Sequence, residues 1–450
     1  MIFGLVYADN QTATTTPILP GGQLPFTISV EQASFSLPKG LQSYVYAVHK
    51  DKLLLLTGLI EGLHSFDTGQ NTNAFVVDLK HGTVFMRSLL DPASGLTPDQ
   101  IDSLSATNAQ NIQKGNTLYI TGGYGAVNPT NPEQFTTKNT LTAVDVKETI
   151  DWVLHPTASK TLAPYVRQTF NEAFRVAGGT MGQGKDGLVL LMFGADLEGP
   201  VSGSTNPIYT EQVRRFFIYD DGRNLSVSFE DPSPIILDPN FRRRDGNMLP
   251  FIQKKGKELC PAYVALSGVF TLTDGVWTVP VIISDTGVPT MPNPNAPATF
   301  KQGMNNYESA AVELYSRKTG DNYLILFGGI SYGYFVNGAF TTDPTLPFIN
   351  QITTVKIDKS GKFSQYIMAE EFPVILSTSV DPGNQLLFGT DAKFFATSCA
   401  LSFPNGVLAY DELSKKPVFL GYIIGGIQSV SGTEDTGASP YIFKVILNKK

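Results

Sequence analysis

Residues 323–329 read YLILFGG, an apolar run that ends in two glycines, and this unit decides the fold. Five related runs lie elsewhere in the chain: 53–58 (LLLLTG), 118–123 (LYITGG), 188–194 (LVLLMFG), 263–268 (YVALSG) and 421–426 (GYIIGG). A strand precedes each run across a tight turn, and two more strands follow most of them, as in residues 352–368 (ITTVKIDKSGKFSQYIM). Short β-rich runs bounded by turns are typical of antiparallel hairpins. The pattern predicts a four-stranded antiparallel unit, with strands a to d, that occurs six times.

The repeated unit predicts an all-β fold, a six-bladed β-propeller with four-stranded antiparallel blades. The last unit lacks strand d because the chain ends after residues 441–447 (YIFKVIL), whereas residues 26–30 (FTISV) alternate as a strand does. We expect this N-terminal strand to complete the last blade and close the ring. The predicted organisation is a leader over residues 1–23 and one propeller domain over residues 24–450, because repeats let one domain exceed the usual size. A pair of β-sandwiches with chance glycines is the alternative.

The glycine runs resemble those of the kelch-repeat β-propellers, the galactose-oxidase-like group, whose blades carry a double glycine after strand b. Gly122-Gly123, Gly328-Gly329 and Gly425-Gly426 match this feature, and Trp152 lies near the family's usual tryptophan position in strand d. The resemblance covers about residues 26–447 and implies the fold rather than an activity, because the motif is a packing signature. The copper-radical oxidases on such rings need two His, two Tyr and a crosslinked Cys, and this set has no counterpart in the sequence.

The composition excludes several classes of protein. Lys and Arg number 33 and Asp and Glu 40, for a net charge of −7, and Lys/Arg clusters are scarce, so we expect no nucleic-acid partner. No run approaches the roughly 20 apolar residues of a membrane-spanning helix, so we expect no integral membrane segment. Four His leave little for a metal, and the loop at residues 67–73 lacks the terminal Glu of a calcium loop. We therefore expect no metal and no cofactor, and we expect a monomer.

The N-terminus favours export. Residues 2–8 (IFGLVYA) are apolar and end in a small residue before Asp9, as a signal peptide does, although the basic segment is missing. A Thr/Pro/Gly-rich segment that we expect to be flexible follows. The protein is therefore predicted to be periplasmic or extracellular, an ordinary frayed terminus being the alternative. Cys260 and Cys399 fall two blades apart, so we expect two buried thiols rather than a disulfide.

The lengths of the connections predict where a ligand binds. In an up-and-down blade the b–c and d–a connections lie on one face of the disc, and here they are long while the other turns are tight. Long connections are usually functional, and insertions in repeat proteins collect on the binding face. Because strand a lines the channel of a propeller, polar residues that start each strand a are expected at the mouth of this face.

Nine of these polar residues form the predicted ligand site. They are Arg175, Arg243, Arg244, Asp245, Asn305, Tyr307, Glu308, Asp391 and Lys393. Arg243 and Arg244 suit a carboxylate, sulfate or phosphate, or else they pair with acids and clamp their loop. The amide, phenol and carboxylates of the remaining residues suit sugar hydroxyls, and two carboxylates allow acid–base chemistry. Solvated or hydrogen-bonded strand ends are the alternative.

Two functions remain open at this point. The first is an exported binding module that presents its long-loop face to a glycan or protein partner. The second is a carbohydrate-active enzyme at the channel mouth. Six-bladed kelch-type propellers that interconvert the anomers of sialic acid place Arg and Glu there, and this resemblance implies Arg243 or Arg244 and Glu308 as the analogues. The sequence assigns no catalytic residue.

Overall fold

The structure is a computed structural model that describes residues 15–450, apart from residues 64, 66–68, 131–132, 158, 200–206, 267, 273–274, 398–399 and 433–434. It is all-β, with 47% strand and two short α-helices. The chain forms two compact units. The first unit comprises residues 34–244 and 438–440, and the second unit comprises the residues up to 33, 245–437 and 441–450.

Two strands precede the first unit in the chain, and the unit contains three four-stranded sheets and two hairpins. The N-terminal strands are β1 (Ile18–Pro20) and β2 (Phe26–Gln32). The strands of the first unit are β3 (Val45–His49), β4 (Lys52–Leu56), β5 (Asn73–Asp78), β6 (Thr83–Ser88), β7 (Gln110–Lys114), β8 (Thr117–Thr121), β9 (Tyr124–Ala126), β10 (Phe135–Thr137), β11 (Thr140–Asp145), β12 (Val166–Phe170), β13 (Thr180–Gln183), β14 (Val189–Met192), β15 (Ala195–Asp196), β16 (Ile208–Tyr209), β17 (Val213–Asp220) and β18 (Leu225–Ser233). They give three four-stranded antiparallel sheets, β3-β4-β5-β6, β7-β8-β11-β12 and β13-β14-β17-β18, and two small hairpins, β9-β10 and β15-β16.

The strands after residue 245 continue the pattern. They are β19 (Met248–Lys255), β20 (Glu258–Ala265), β21 (Val281–Ile283), β22 (Pro289–Thr290), β23 (Ala310–Tyr315), β24 (Asn322–Ile330), β25 (Gly333–Val336), β26 (Ala339–Thr342), β27 (Phe348–Ile357), β28 (Phe363–Glu371), β29 (Lys393–Ala396), β30 (Leu408–Ala409), β31 (Val418–Ile424), β32 (Ile427–Ser429), β33 (Thr436–Ala438) and β34 (Ile442–Lys449). Two of their sheets are four-stranded, β19-β20-β21-β22 and β2-β34-β31-β29, and β25-β26 and β32-β33 are hairpins.

The remaining sheet has six strands, in the order β1-β28-β27-β24-β23-β30. The described residues therefore form five four-stranded blades, and the prediction of six is wrong. The physical reason is that both edges of the β23–β28 meander are open to pairing. Strand β1 adds in parallel to β28, and β30 adds in parallel to β23.

Within each unit, successive sheets pack face to face. In the first unit, Leu54 and Leu118 share one buried core, and Leu141 and Leu191 share the next. In the second unit, residues of β19 and β20 share a core with β24, and residues of β23 share a core with β34. A sheet that is apolar on both faces must bury both of them, and stacking on neighbours does so. Each unit thus has the sheet arrangement of a β-propeller.

The double glycine lies where two neighbouring sheets contact each other. At Gly328, φ is +61°, and a Cβ atom there would lie 2.2 Å from the carbonyl oxygen of Phe388. At Gly122, φ is +63°, and a Cβ would lie 2.0 Å from the carbonyl oxygen of Val176. Only glycine tolerates both the conformation and the approach. The motif therefore marks where the segment that leads into the next strand a presses on strand b.

The N-terminal strands join sheets of the second unit. Strand β2 pairs antiparallel with β34, so it occupies the strand-d position predicted for residues 26–30. Closure of a ring remains a prediction. Strand β1 lies within the predicted leader, and its pairing with β28 holds residues 18–20 against a sheet. Residues 1–14 lie outside the described residues, and the boundary at residue 24 also remains a prediction.

One predicted strand is a helix. Helix α1 (Pro98–Leu104) begins after Thr97, which is its N-cap and forms a capping box with Gln100. Helix α2 (Val146–Leu154) replaces the strand expected to carry Trp152, and strand d of this sheet is β12 instead. The reason is local, because Asp145 caps the helix and Val146, Ile150 and Val153 share one buried face at helical spacing. Short 3₁₀ turns lie at Gly21–Gln23, Pro92–Ser94, Ala163–Tyr165, Glu172–Phe174, Lys185–Gly187, Pro239–Phe241 and Tyr410–Glu412.

Candidate functional site

The start of each strand a shares one backbone feature. Two or three residues before the strand, one residue has a left-handed conformation, with φ between 48° and 67°. These residues are Ser43, Asn108 and Gly178 in the first unit and Asp245, Glu308 and Asp391 in the second. Within the first unit, the Asn108 N–H donates to the carbonyl of Ser43 at 3.3 Å, and the Gly178 N–H donates to that of Asn108 at 3.0 Å. Within the second, the Asp391 N–H donates to the carbonyl of Glu308 at 2.7 Å. The position is thus a backbone link between successive sheets.

At this position before strand a, the three residues of the second unit are all acids, and we call them the acidic cluster (Asp245, Glu308 and Asp391). Burial raises the pKa of Glu308 well above its ordinary value, and the negative charges of Asp391 and Asp245 raise it further. A hydrogen bond between the Glu308 and Asp391 carboxyl groups acts in the same direction, while Lys393 opposes the shift. Two carboxyl groups that bond to each other share a proton. The cluster and the neighbouring Lys393 therefore combine a carboxylic acid, carboxylates and an ammonium group.

The turn that carries Glu308 is held rigidly. Asn306 is fully buried, and its side-chain amide donates to the carbonyls of Gly328 at 2.7 Å and Gln351 at 3.1 Å. Its own carbonyl accepts a bond from Asn247 at 2.6 Å. The sequence places Asn306 among the polar residues that start a strand a, although it is not one of the nine residues of the predicted ligand site. Asn306 positions the turn and is too deep to meet a ligand.

The structure places the other residues predicted in this turn around Glu308. Asn305 is fully buried, with its backbone N–H bonded to Ser331 Oγ and its side-chain amide bonded to the Trp277 carbonyl. Tyr307 is half-buried and pairs through its backbone with Ile330. Lys393 is half-buried at the first position of β29. Five of the nine predicted residues therefore lie on or beside the acidic cluster, together with the buried Asn305.

The arginines before the cluster are packed against protein. Arg243 is 2% exposed, and burial lowers the pKa of its guanidinium to about 9, so it remains protonated at neutral pH. Its carbonyl accepts the Gly194 N–H, as the carbonyls of Ala106 and Val176 accept the corresponding glycine N–H groups. Arg243 thus occupies a position that is aliphatic and buried in the two preceding sheets of the first unit. Arg244 is half-buried, with its guanidinium carbon 5.8 Å from the centre of the Tyr209 ring.

Arg175 is bound by neighbours of the first unit. Its guanidinium donates to Glu172 at 2.7 Å, to Thr136 Oγ1 at 2.9 Å and to the Thr137 carbonyl at 3.2 Å. It precedes the left-handed residue by three positions, since strand β13 begins only at Thr180. The sequence prediction took the polar run at residues 171–175 as the strand start. The residues just before strand β13 are Gly178 and Gly179. They have no polar side chain, so the search for polar residues did not identify this position as the strand start.

The long b–c connections carry secondary structure of their own. In four sheets, the connection between strands b and c folds into a two-stranded hairpin. These hairpins are β9-β10, β15-β16, β25-β26 and β32-β33. The predicted long loops are therefore ordered extensions on the side of the blades where strand a begins.

Two predictions about metals and thiols fall partly outside the described residues. No group of three His, Cys, Asp or Glu among the described residues is placed to hold a metal ion. Asp67 and Thr68, in the loop compared with a calcium site, are not described. Cys260 is half-buried in β20, and Cys399 lies outside the described residues. No helix in the described part of the chain is long and apolar enough to cross a membrane.

Comparison with known proteins finds similar solved structures. The sequence matches no protein family and no curated protein. The chain is similar to a solved structure titled "Structure of YjhT", with a TM-score of 0.46 and 10% sequence identity, over 90% of this chain and 95% of that one. At this TM-score the likeness carries no conclusion about function.

Proposed function

We propose that this chain is a binding module of β-propeller type whose ligand contacts the acidic cluster. One observation carries the proposal. The same left-handed position is occupied by Ser43, Asn108 and Gly178 in the first unit and by three acids in the second. The neutral residues show that the backbone conformation does not require a carboxyl group. The acids therefore need a reason other than the fold.

The acids also oppose stability, which strengthens this reasoning. Glutamate in the left-handed region costs roughly 1–2 kcal/mol, because its Cβ approaches the backbone. The raised pKa of Glu308 means that ionising this carboxyl group is unfavourable in the folded chain. Positions that break a local rule without a structural gain are typical of functional sites.

The chemistry of the cluster suits a glycan. The carboxylates accept hydrogen bonds, while the protonated carboxyl group and Lys393 donate them, so both halves of a sugar hydroxyl find partners. Three carboxyl groups beside one ammonium group favour a neutral or amino sugar over an acidic one. The ordered hairpins of the b–c connections supply surface for the rest of such a ligand.

Glycan-array screening followed by calorimetry tests this proposal. We expect Glu308→Gln to weaken binding of any captured glycan by tenfold or more, because glutamine cannot share a proton with Asp391 and a hydrogen bond to the charged member of that pair contributes about 1.5–3 kcal/mol. Glu31→Gln is the matched control, because Glu31 is an exposed strand residue of the same unit. Equal affinity of the native chain and Glu308→Gln would refute the role of the cluster.

A second candidate function is acid–base catalysis on a sugar. The hydrogen-bonded carboxyl pair Glu308–Asp391 favours it, because a pair that shares one proton supplies an acid and a base together. Anomer interconversion of a reducing sugar, followed by NMR, is the assay. We expect a bell-shaped pH profile that Asp391→Asn abolishes. Glycan binding without any acceleration of mutarotation would refute this second function and leave the binding module as the proposed function.

Other parts of the proposal extend the sequence analysis. We infer a kelch-type propeller, supported by the role of the double glycine between sheets, with ring closure supported by the β2–β34 pairing. Export to the periplasm or the extracellular space and a monomeric state follow from the sequence reasoning alone. Secretion of the full-length gene product, and its mass in solution, test these two points.

A further inference from the structure

A buried polar network lies behind the turn that leads to the acidic cluster. It joins residues 302–305 to the b–c connection of the β19–β22 sheet and to β28. The Gln302 N–H donates to the Thr278 carbonyl at 2.8 Å, and the Asn305 side-chain amide donates to the Trp277 carbonyl at 3.0 Å. All of these groups belong to the second unit.

The donors of this network are satisfied. Gln302 Nε2 donates to the carbonyls of Met304 at 2.8 Å and Asn305 at 3.1 Å. Gln365 accepts the backbone N–H groups of Gly303 and Met304, and it donates to the Met304 carbonyl at 2.7 Å. These bonds also fix which end of each amide is the oxygen.

Two acceptors in the network have no partner among the described residues. They are Gln302 Oε1 and Asn305 Oδ1, and both residues are 0% exposed. An unsatisfied buried acceptor destabilises the folded state, so two within one turn are a large penalty. An amide oxygen only accepts, so the missing partner must donate hydrogen bonds.

We propose that this network is an internal hydration site, in which buried water donates hydrogen bonds to Gln302 Oε1 and to Asn305 Oδ1. Water fits because it is the small hydrogen-bond donor that proteins typically bury beside unsatisfied polar groups. Internal waters in proteins typically make about three hydrogen bonds to groups that are otherwise unsatisfied. The water then holds the base of the turn whose last residue is Glu308. The site does not depend on the identity of any ligand.

A crystal structure of the native chain that resolves ordered waters is the first test. We expect water density within about 3.2 Å of each of the two oxygens. Either oxygen without such density would overturn the proposal.

The second test counts long-lived waters in solution by magnetic relaxation dispersion. Gln302→Met keeps the length of the side chain and removes one acceptor, so we expect at least one fewer long-lived water. Gln365→Met is the matched control, because it removes an amide of the same network whose oxygen is already paired, and we expect no loss of water. Equal counts in the native chain and Gln302→Met would contradict the proposal. If Gln302→Met does not fold, the crystal structure decides.

Discussion

Glu313 gives the chain a pH-dependent weakness that can be measured. It lies in the middle of β23, directly opposite Leu324 of β24, and its sheet packs on the apolar core shared with β19 and β20. Burial raises the pKa of its carboxyl group from 4.5 to about 7, and no charged group among the described residues contributes to this shift. The folded chain therefore holds a proton that the unfolded chain releases more readily.

The sign and size of the effect follow from proton linkage. Between pH 4.5 and pH 7 the folded state binds more protons than the unfolded state at this group, so stability falls as the pH rises. The loss of stability is absent below pH 4.5 and complete above pH 7. At about 1.4 kcal/mol per pH unit it amounts to about 3 kcal/mol, an upper bound because the side chain is half-buried.

Glu313→Gln tests this reasoning. The glutamine has no proton to release, so we expect the variant to match the native chain below pH 4.5 and to exceed its stability by up to about 3 kcal/mol above pH 7. Urea unfolding is the assay. The chain has two tryptophans, so a Trp152→Phe background leaves Trp277 to report on the unit that contains Glu313.

A matched control and a clear failure are available. Glu31→Gln is the matched control, because it makes the same change of residue at an exposed position of the same unit. If Glu313→Gln and the native chain lose stability in parallel across this range, then the carboxyl group is solvated and the reasoning from burial is wrong.

Two further substitutions test the packing. Thr97→Ala removes the cap of helix α1 and is expected to lower the free energy of unfolding by about 1 kcal/mol in urea titrations. Leu54→Ala, at a fully buried position of β4, is expected to cost about 2–5 kcal/mol in the same assay.

The sequence predicts the blade pattern because the pattern is local. The apolar run, the tight turn and the glycine all lie within a dozen residues. The glycine is needed because a carbonyl group of the neighbouring sheet approaches it too closely for a Cβ atom, as at Gly328. The extra strands β1 and β30 were missed because pairing at a sheet edge depends on segments far apart in the chain. Helix α2 was missed because its short apolar pattern was read as a strand, although the capping Asp145 favours a helix.

The candidate site was predicted in part for a similar reason. Polar residues before each strand a identified Asp245, Glu308 and Asp391, and the structure places all three in one acidic cluster. These three acids share a left-handed backbone conformation. That conformation does not require one residue type, since Gly178 occupies the equivalent position, and so it could not be predicted from the sequence. The burial of Arg243 could not be predicted from the sequence either, because a run of three arginines suggests a solvated loop.

In a chain built from one repeated unit, function is expected where equivalent positions differ. Packing between neighbouring sheets imposes the same requirement on every copy of the unit. A difference in residue chemistry at a fixed backbone position therefore has a cause other than packing. Two positions meet this condition. One takes Ala106 and Val176 but then Arg243, and the other takes neutral residues in one unit and acids in the other. The two deviations fall within three consecutive residues, Arg243 to Asp245. The segment that departs most from the repeat is therefore the one where a ligand is to be sought first.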